Sequence, residues 1–173
     1  GLSKLFAAHD IERRYLAIVS GQPAPPAGII RTQIGRHPTN RKKMAVLPDG
    51  KGKHAVTHFR VIELLKKASL VECRLETGRT HQVRVHMAST GHALLGDPLY
   101  GRIPADLRKT LRELAFARQA LHAEKLALTH PASRRRRAWR ARVPADMRKL
   151  IADKTPDELG SPPNRACARR GVV

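Results

Sequence analysis

The sequence predicts an α+β fold in which a mixed, mostly antiparallel sheet carries flanking helices. Between Arg14 and Leu75, short apolar runs rich in β-branched residues follow one another with turn residues between them, the pattern of consecutive hairpins. From Pro104 to Ala117 the apolar period changes to Leu107, Leu111 and Leu114 behind a proline at the first turn, the pattern of a helix. The hydrophobic content of 41% over 173 residues suits one domain with a sizeable core and excludes a disordered basic tail protein for most of the chain.

Taken in order, Leu2, Leu5 and Phe6 repeat at helical spacing from the first residue, so the chain is expected to begin inside an element. Arg14–Val19 reads as a buried strand stopped by Gly21 and Pro23, with a Pro-rich loop to Gly28. Ile29–Ile34 can form a strand, and Gly35–Lys43 reads as a basic loop. Pro48-Asp49-Gly50 is a turn between Met44–Leu47 and the longer strand His54–Leu65. Lys66-Lys67 leads into Leu70–Leu75, where Val71, Cys73 and Leu75 alternate with Glu72 and Arg74. Over Thr80–Thr90, Val83, Val85 and Met87 alternate as in a strand, whereas Thr80 and Gly91 bracket the segment like the cap and stop of a helix; helix is favoured. Gln119–Leu128 and Ala138–Val143 read as strands joined by the basic turn Ser133–Arg137, Pro144–Ala152 as a short helix, and residues 153–173 as a mobile basic tail.

Charge narrows the function. The 34 Lys+Arg against 14 Asp+Glu give a net charge of +20, and such self-repulsion is relieved by a polyanion, nucleic acid first among the candidates. Between Arg31 and Arg60 eight basic residues face one acid, Asp49, which makes that stretch a candidate surface for a nucleic-acid backbone. No apolar run is long enough to span a membrane and no signal peptide is visible, so no membrane role is expected. Cys73 and Cys167 lie far apart, which supports neither a disulfide nor a zinc site and fits a reducing compartment; Cys73 reads as a core residue. The pairs His54/His58 and His81/His86 lack a third ligand at metal-binding spacing, and no glycine-rich phosphate loop opens a helix.

The segment richest in hydrogen-bond donors is Leu75–Met87, where Arg79, Thr80, His81, Gln82, Arg84 and His86 accompany Val83, Val85 and Met87. Arginine suits bidentate contact with phosphate or carboxylate; a basic, solvated helix face is the alternative reading. This segment, with Gly91-His92-Ala93-Leu94-Leu95-Gly96-Asp97-Pro98-Leu99-Tyr100-Gly101, resembles the signature of the RluA/RluD-type pseudouridine synthases. Glu12–Val19, Ile34–Thr39 with Met44-Ala45-Val46, and Ala120–Ala123 with Thr129-His130-Pro131 match in the family's order and spacing over roughly residues 1–152. Within the family the likeness is to members that modify a stem-loop of large-subunit ribosomal RNA.

The resemblance implies isomerisation of uridine to pseudouridine without cofactor or metal, through an aspartate that attacks the nucleoside so that the uracil can be released, turned and rejoined through carbon. It places Tyr15 as the active-site tyrosine that packs on the target base and Arg84 as the arginine that pairs with that aspartate. Arg36, Arg41, Lys42, Lys43, Arg79, His81 and Gln82 are the expected RNA-binding residues. The family's His-Arg-Leu-Asp motif is expected upstream of Gly1, so the chain is read as the C-terminal portion of the catalytic domain, inactive alone, with Arg84 left unpaired. Asp97, in the Gly-Asp-Pro loop, is read as structural. Extruding a base from folded RNA calls for a basic surface and a stacking ring, and an aromatic content of only 3% favours one stacked base plus backbone contacts over a platform reading several. Without the resemblance Tyr15 would read as an ordinary strand tyrosine. Ribosomal RNA is the implied partner, the cytoplasm the implied compartment and a monomer the expected state; the alternative is a non-catalytic basic RNA-binding or ribosome-assembly protein.

Overall fold

A computed structural model describes residues 11–101 and 103–154; the helical start read at Leu2–Phe6 and nearly all of the tail lie outside them. Seven strands form one sheet in the order β3-β2-β4-β5-β1-β6-β7, and every pairing among the described strands is antiparallel. They are β1 (Ile11–Ser20), β2 (Ala27–Arg36), β3 (Met44–Leu47), β4 (Lys53–Leu65), β5 (Ala68–Leu75), β6 (Leu121–Thr129) and β7 (Arg136–Arg140). The helices are α1 (Gln82–Ser89), α2 (Ala105–Glu113) and α3 (Ala145–Lys154). The expected α+β architecture stands, and the helical reading of Thr80–Thr90 is confirmed, as α1.

Alternation along β1 divides the core. Tyr15, Ala17 and Val19 pack with Val71 and Cys73 of β5 against Val83 and Met87 of α1, whereas Leu16 and Ile18 point the other way, toward Leu107 and Leu111 of α2 and Met147 and Leu150 of α3. The sheet is therefore covered by α1 on one face and by α2 and α3 on the other. Cys73 is fully buried, its thiol pushed up to about 12 by burial in apolar surroundings, which leaves it a core residue rather than a nucleophile.

Boundaries moved where local geometry outweighed the apolar period. Helix α2 stops at Glu113 rather than reaching Ala117 because Ala115 is left-handed, at φ 51°, and Phe116 N–H returns to Leu111 C=O at 2.8 Å in a Schellman closure. β7 begins at Arg136, two residues before the expected Ala138, because its pairing with β6 runs from Thr129↔Arg136 to Lys125↔Arg140. α3 runs through Lys154, so the first two residues assigned to the tail belong to the helix.

Candidate active site

The loop Thr77–His81 and helix α1 are moored to the sheet by Gln82. Its Oε1 accepts from the backbone N–H of Arg79 at 2.9 Å and from the Thr77 hydroxyl at 2.7 Å, and its Nε2 donates to Val56 C=O at 2.9 Å and Thr57 Oγ1 at 3.0 Å. Gln82 is 2% exposed. The sequence reading gave it to RNA; the structure corrects this, since every polar position of its amide is committed inside the protein. The chain continues through the Thr57 hydroxyl to His86 Nδ1 at 2.8 Å, leaving the His86 proton on Nε2, which faces Thr32 Oγ1 at 2.9 Å. Burial holds His86 well below the usual imidazole range, at about 4, so it is a neutral core residue.

Arg84, two residues after Gln82 on α1 and also buried, is not unpaired as the sequence reading expected. Its Nε and one terminal nitrogen bind Asp97 in a fork at 2.7 and 2.8 Å, and its guanidinium lies 4.9 Å from the centroid of the Tyr100 ring. Asp97 also accepts the backbone N–H groups of Leu99 and Tyr100, which folds the Gly96–Gly101 turn around the carboxylate. Burial would raise the Asp97 carboxyl, but the Arg84 fork and these two amides hold it below the ordinary range; the same fork raises Arg84. The structural reading of Asp97 thus stands, and it supplies the partner that Arg84 was thought to have lost.

Tyr100 links this pair to the surface. Its phenol oxygen accepts Met44 N–H at 2.7 Å and so directs its own proton to His81 Nδ1, 2.8 Å away, which leaves the His81 proton on Nε2. Burial, then the Arg84 charge, lowers the His81 imidazole, with Asp97 opposing, so His81 is neutral. His81 lines a cavity of about 730 Å³ whose walls carry Arg36, Arg41, Lys42, Lys51, Lys53 and Arg79 and, among the described residues, no acid. Five residues expected to bind RNA, Arg36, Arg41, Lys42, Arg79 and His81, therefore converge from three segments. Lys43 instead closes the β2–β3 loop through its backbone, to Asn40 C=O at 2.9 Å and from His37 N–H at 3.1 Å. Lys51 and Lys53 were legible only as members of the basic stretch.

Tyr15 is half-buried on the α1 face of β1 and lines a smaller cavity, about 300 Å³, with Arg13, Leu126 and Trp139 among its walls. Arg13 was missed by the sequence reading, although its place two residues before Tyr15 puts it on the same face. Its guanidinium donates to Glu76 C=O at 3.0 Å and occupies the space that a Cβ at Gly78 would take. Burial, with Arg79 adding to it and Tyr15 opposing, lowers its pKa. Among the described residues no group of three His, Cys, Asp or Glu side chains is placed to hold a metal ion, and no helix is long and apolar enough to cross a membrane.

The RNA pseudouridylate synthase family model matches residues 1–89. The chain belongs to the RNA pseudouridylate synthase family. It is 55% identical over 151 residues to ribosomal large subunit pseudouridine synthase D of Zymomonas mobilis, covering 87% of this chain and 47% of the relative. The corresponding protein of Nitrosomonas europaea is 44% identical, with 87% and 43% covered, and that of Escherichia coli K12 is 46% identical, with 82% and 44% covered. The chain thus spans about half the length of the curated relatives it matches. Among solved structures, human RNA pseudouridylate synthase domain containing 1 superposes with a TM-score of 0.73 at 25% identity over 92% of this chain and 65% of its own. Human RNA pseudouridylate synthase domain containing 4 superposes at 0.67 and 22% identity, over 87% and 66%, which supports the fold alone.

Proposed function

We propose that the protein containing this chain isomerises uridine to pseudouridine in large-subunit ribosomal RNA, as a monomer in the cytoplasm and without cofactor or metal. The observation that carries this, beside family membership, is the basic cavity, without an acid among the described residues, where five expected RNA-binding residues meet at the start of α1. In this reading Arg36, Arg41, Lys42, Lys51, Lys53 and Arg79 hold phosphates. Neutral His81 presents Nε2–H to the same cavity as a fixed donor. Tyr15 packs against the extruded uracil, with Arg13 keeping the Gly78 turn beside it open. The Arg84–Asp97 fork sets the orientation of α1 and, through Tyr100, the tautomer of His81, while the nucleophilic aspartate comes from the segment preceding this chain.

The test compares two polypeptides on unmodified large-subunit RNA: this chain and the longer protein that includes the upstream segment. Pseudouridine is expected from the longer protein and none from the chain alone. Turnover by the chain alone would place the nucleophile among its own acids, and absence of turnover by both would overturn the reading.

A further inference from the structure

The sheet's second basic edge has no place in that reading. Over residues 133–142 the sequence is Ser-Arg-Arg-Arg-Arg-Ala-Trp-Arg-Ala-Arg, six arginines and the single tryptophan of the chain in ten residues. The structure puts this run on the β6–β7 turn and on β7, an outer strand of the sheet, opposite to the β2–β3 edge that carries the loop with Arg41 and Lys42. Arg136 and Arg140 are tied to Glu12 and Glu124. Arg134, Arg135, Arg137 and Arg142 are exposed, with no carboxylate partner among the described residues.

Trp139 is 53% exposed. Its cross-strand partner is Leu126, and Leu126 in turn stands opposite Arg13 of β1. Directly paired residues share a face, so Trp139, Leu126 and Arg13 form a row on the same face as Tyr15, and the Trp139 and Tyr15 rings line one cavity. Arg137, two residues before Trp139, projects on that face as well. An exposed indole in a field of unpaired guanidinium groups, beside the ring assigned to the target base, matches the chemistry of single-stranded RNA: stacking on the base and charge on the phosphates.

We propose that the β6–β7 hairpin is a second RNA-binding edge, in which Trp139 stacks an unpaired nucleobase neighbouring the one at Tyr15 and Arg134, Arg135 and Arg137 hold its flanking phosphates. The proposal rests on the RNA partner of the reading above and extends it: the single stacked base expected from the low aromatic content becomes two, at Tyr15 and Trp139.

Because Trp139 is the only tryptophan, its emission reports this edge directly. The 173-residue chain is titrated with a uridine-rich RNA hairpin, with an RNA duplex, and with vesicles containing phosphatidylserine, following both fluorescence and affinity. The hairpin is expected to quench Trp139 and the duplex to do so far less. Trp139→Ala should weaken hairpin binding about tenfold while Trp139→Phe retains most of it. Replacing Arg134, Arg135 and Arg137 by Gln, exposed positions whose change leaves the core intact, should flatten the log-log salt slope by about 2. Hairpin binding with unchanged Trp139 emission and with full affinity in these variants would overturn the second edge while leaving the RNA reading in place. No binding of the hairpin by the unaltered chain would overturn both, and a spectral response to vesicles but not to RNA would assign the edge to a membrane instead.

Discussion

Arg84 and Asp97 place two opposite charges under α1, their side chains 9% and 0% exposed, and this arrangement reverses what the unpaired Arg84 expected from sequence would imply for its substitution. Removing the guanidinium strands a buried carboxylate, a change that costs about 3–5 kcal/mol. Arg84→Met is therefore expected to destabilise the chain in urea unfolding, and Arg84→Met with Asp97→Asn to recover part of the loss; a neutral or stabilised single variant would show that the pair is not formed. His86 yields a second expectation. Its folded pKa of about 4 lies below the ordinary value of 6.5, so the unfolded chain binds the additional proton between those limits. Its contribution to stability is complete above 6.5 and is lost as pH falls toward 4, about 3 kcal/mol across the window. Unfolding free energy measured across that window should decline accordingly, and His86→Gln, which can still meet Thr32 and Thr57, should remove much of the decline.

At the scale of elements, the geometry of the candidate site depends on turns more than on helices. The Gly96–Gly101 turn wraps Asp97, and Gly96 itself is left-handed, at φ 69°, and an added Cβ there would overlap the backbone oxygen of Arg118. The left-handed conformation alone disfavours alanine by about 1–2 kcal/mol, and the backbone overlap adds to it. Gly96→Ala is expected to lower the melting temperature strongly, whereas Gly50→Ala, also at positive φ but with open space around it, should show only the conformational part. Equal effects of the two would remove the packing argument. Gln82 works at the same scale, joining the Thr77–Arg79 loop to β4, and Gln82→Ala should cost about 1–3 kcal/mol by leaving Arg79 N–H and the Thr77 hydroxyl proton without an acceptor.

Across the whole molecule, the positive charge is not spread evenly: one cluster lines the cavity between β2, the β3–β4 turn and the start of α1, and another crowds the opposite edge of the sheet. If all six cations of the cavity meet phosphates, they contribute about −4 to the log-log salt slope of single-stranded RNA binding. Replacing Arg36, Lys42 and Lys51 by Gln should reduce that slope by about 2 and leave the unfolding curve unmoved, because Arg36, Lys42 and Lys51 are exposed. A salt-independent binding curve would exclude a phosphate-binding cavity.

The order of strands and helices was legible in the sequence because alternation, helical period and turn residues are local signals, and the family was legible because its motifs are contiguous runs such as Thr77–Met87. The expectation of a nucleic-acid partner followed from net charge, which no folding step alters. Tertiary structure decided the rest. Asp97 lies thirteen positions beyond Arg84, and only the fold of the Gly96–Gly101 turn brings its carboxylate back beneath α1. Gln82 reads as a donor among donors until its burial against β4 assigns each of its hydrogen bonds. Trp139 and Tyr15 are far apart in sequence and share a cavity only because β6 lies between β7 and β1. Pairing across strands and burial are long-range properties, and they determine which of many polar residues are consumed inside the protein and which are left to meet a ligand.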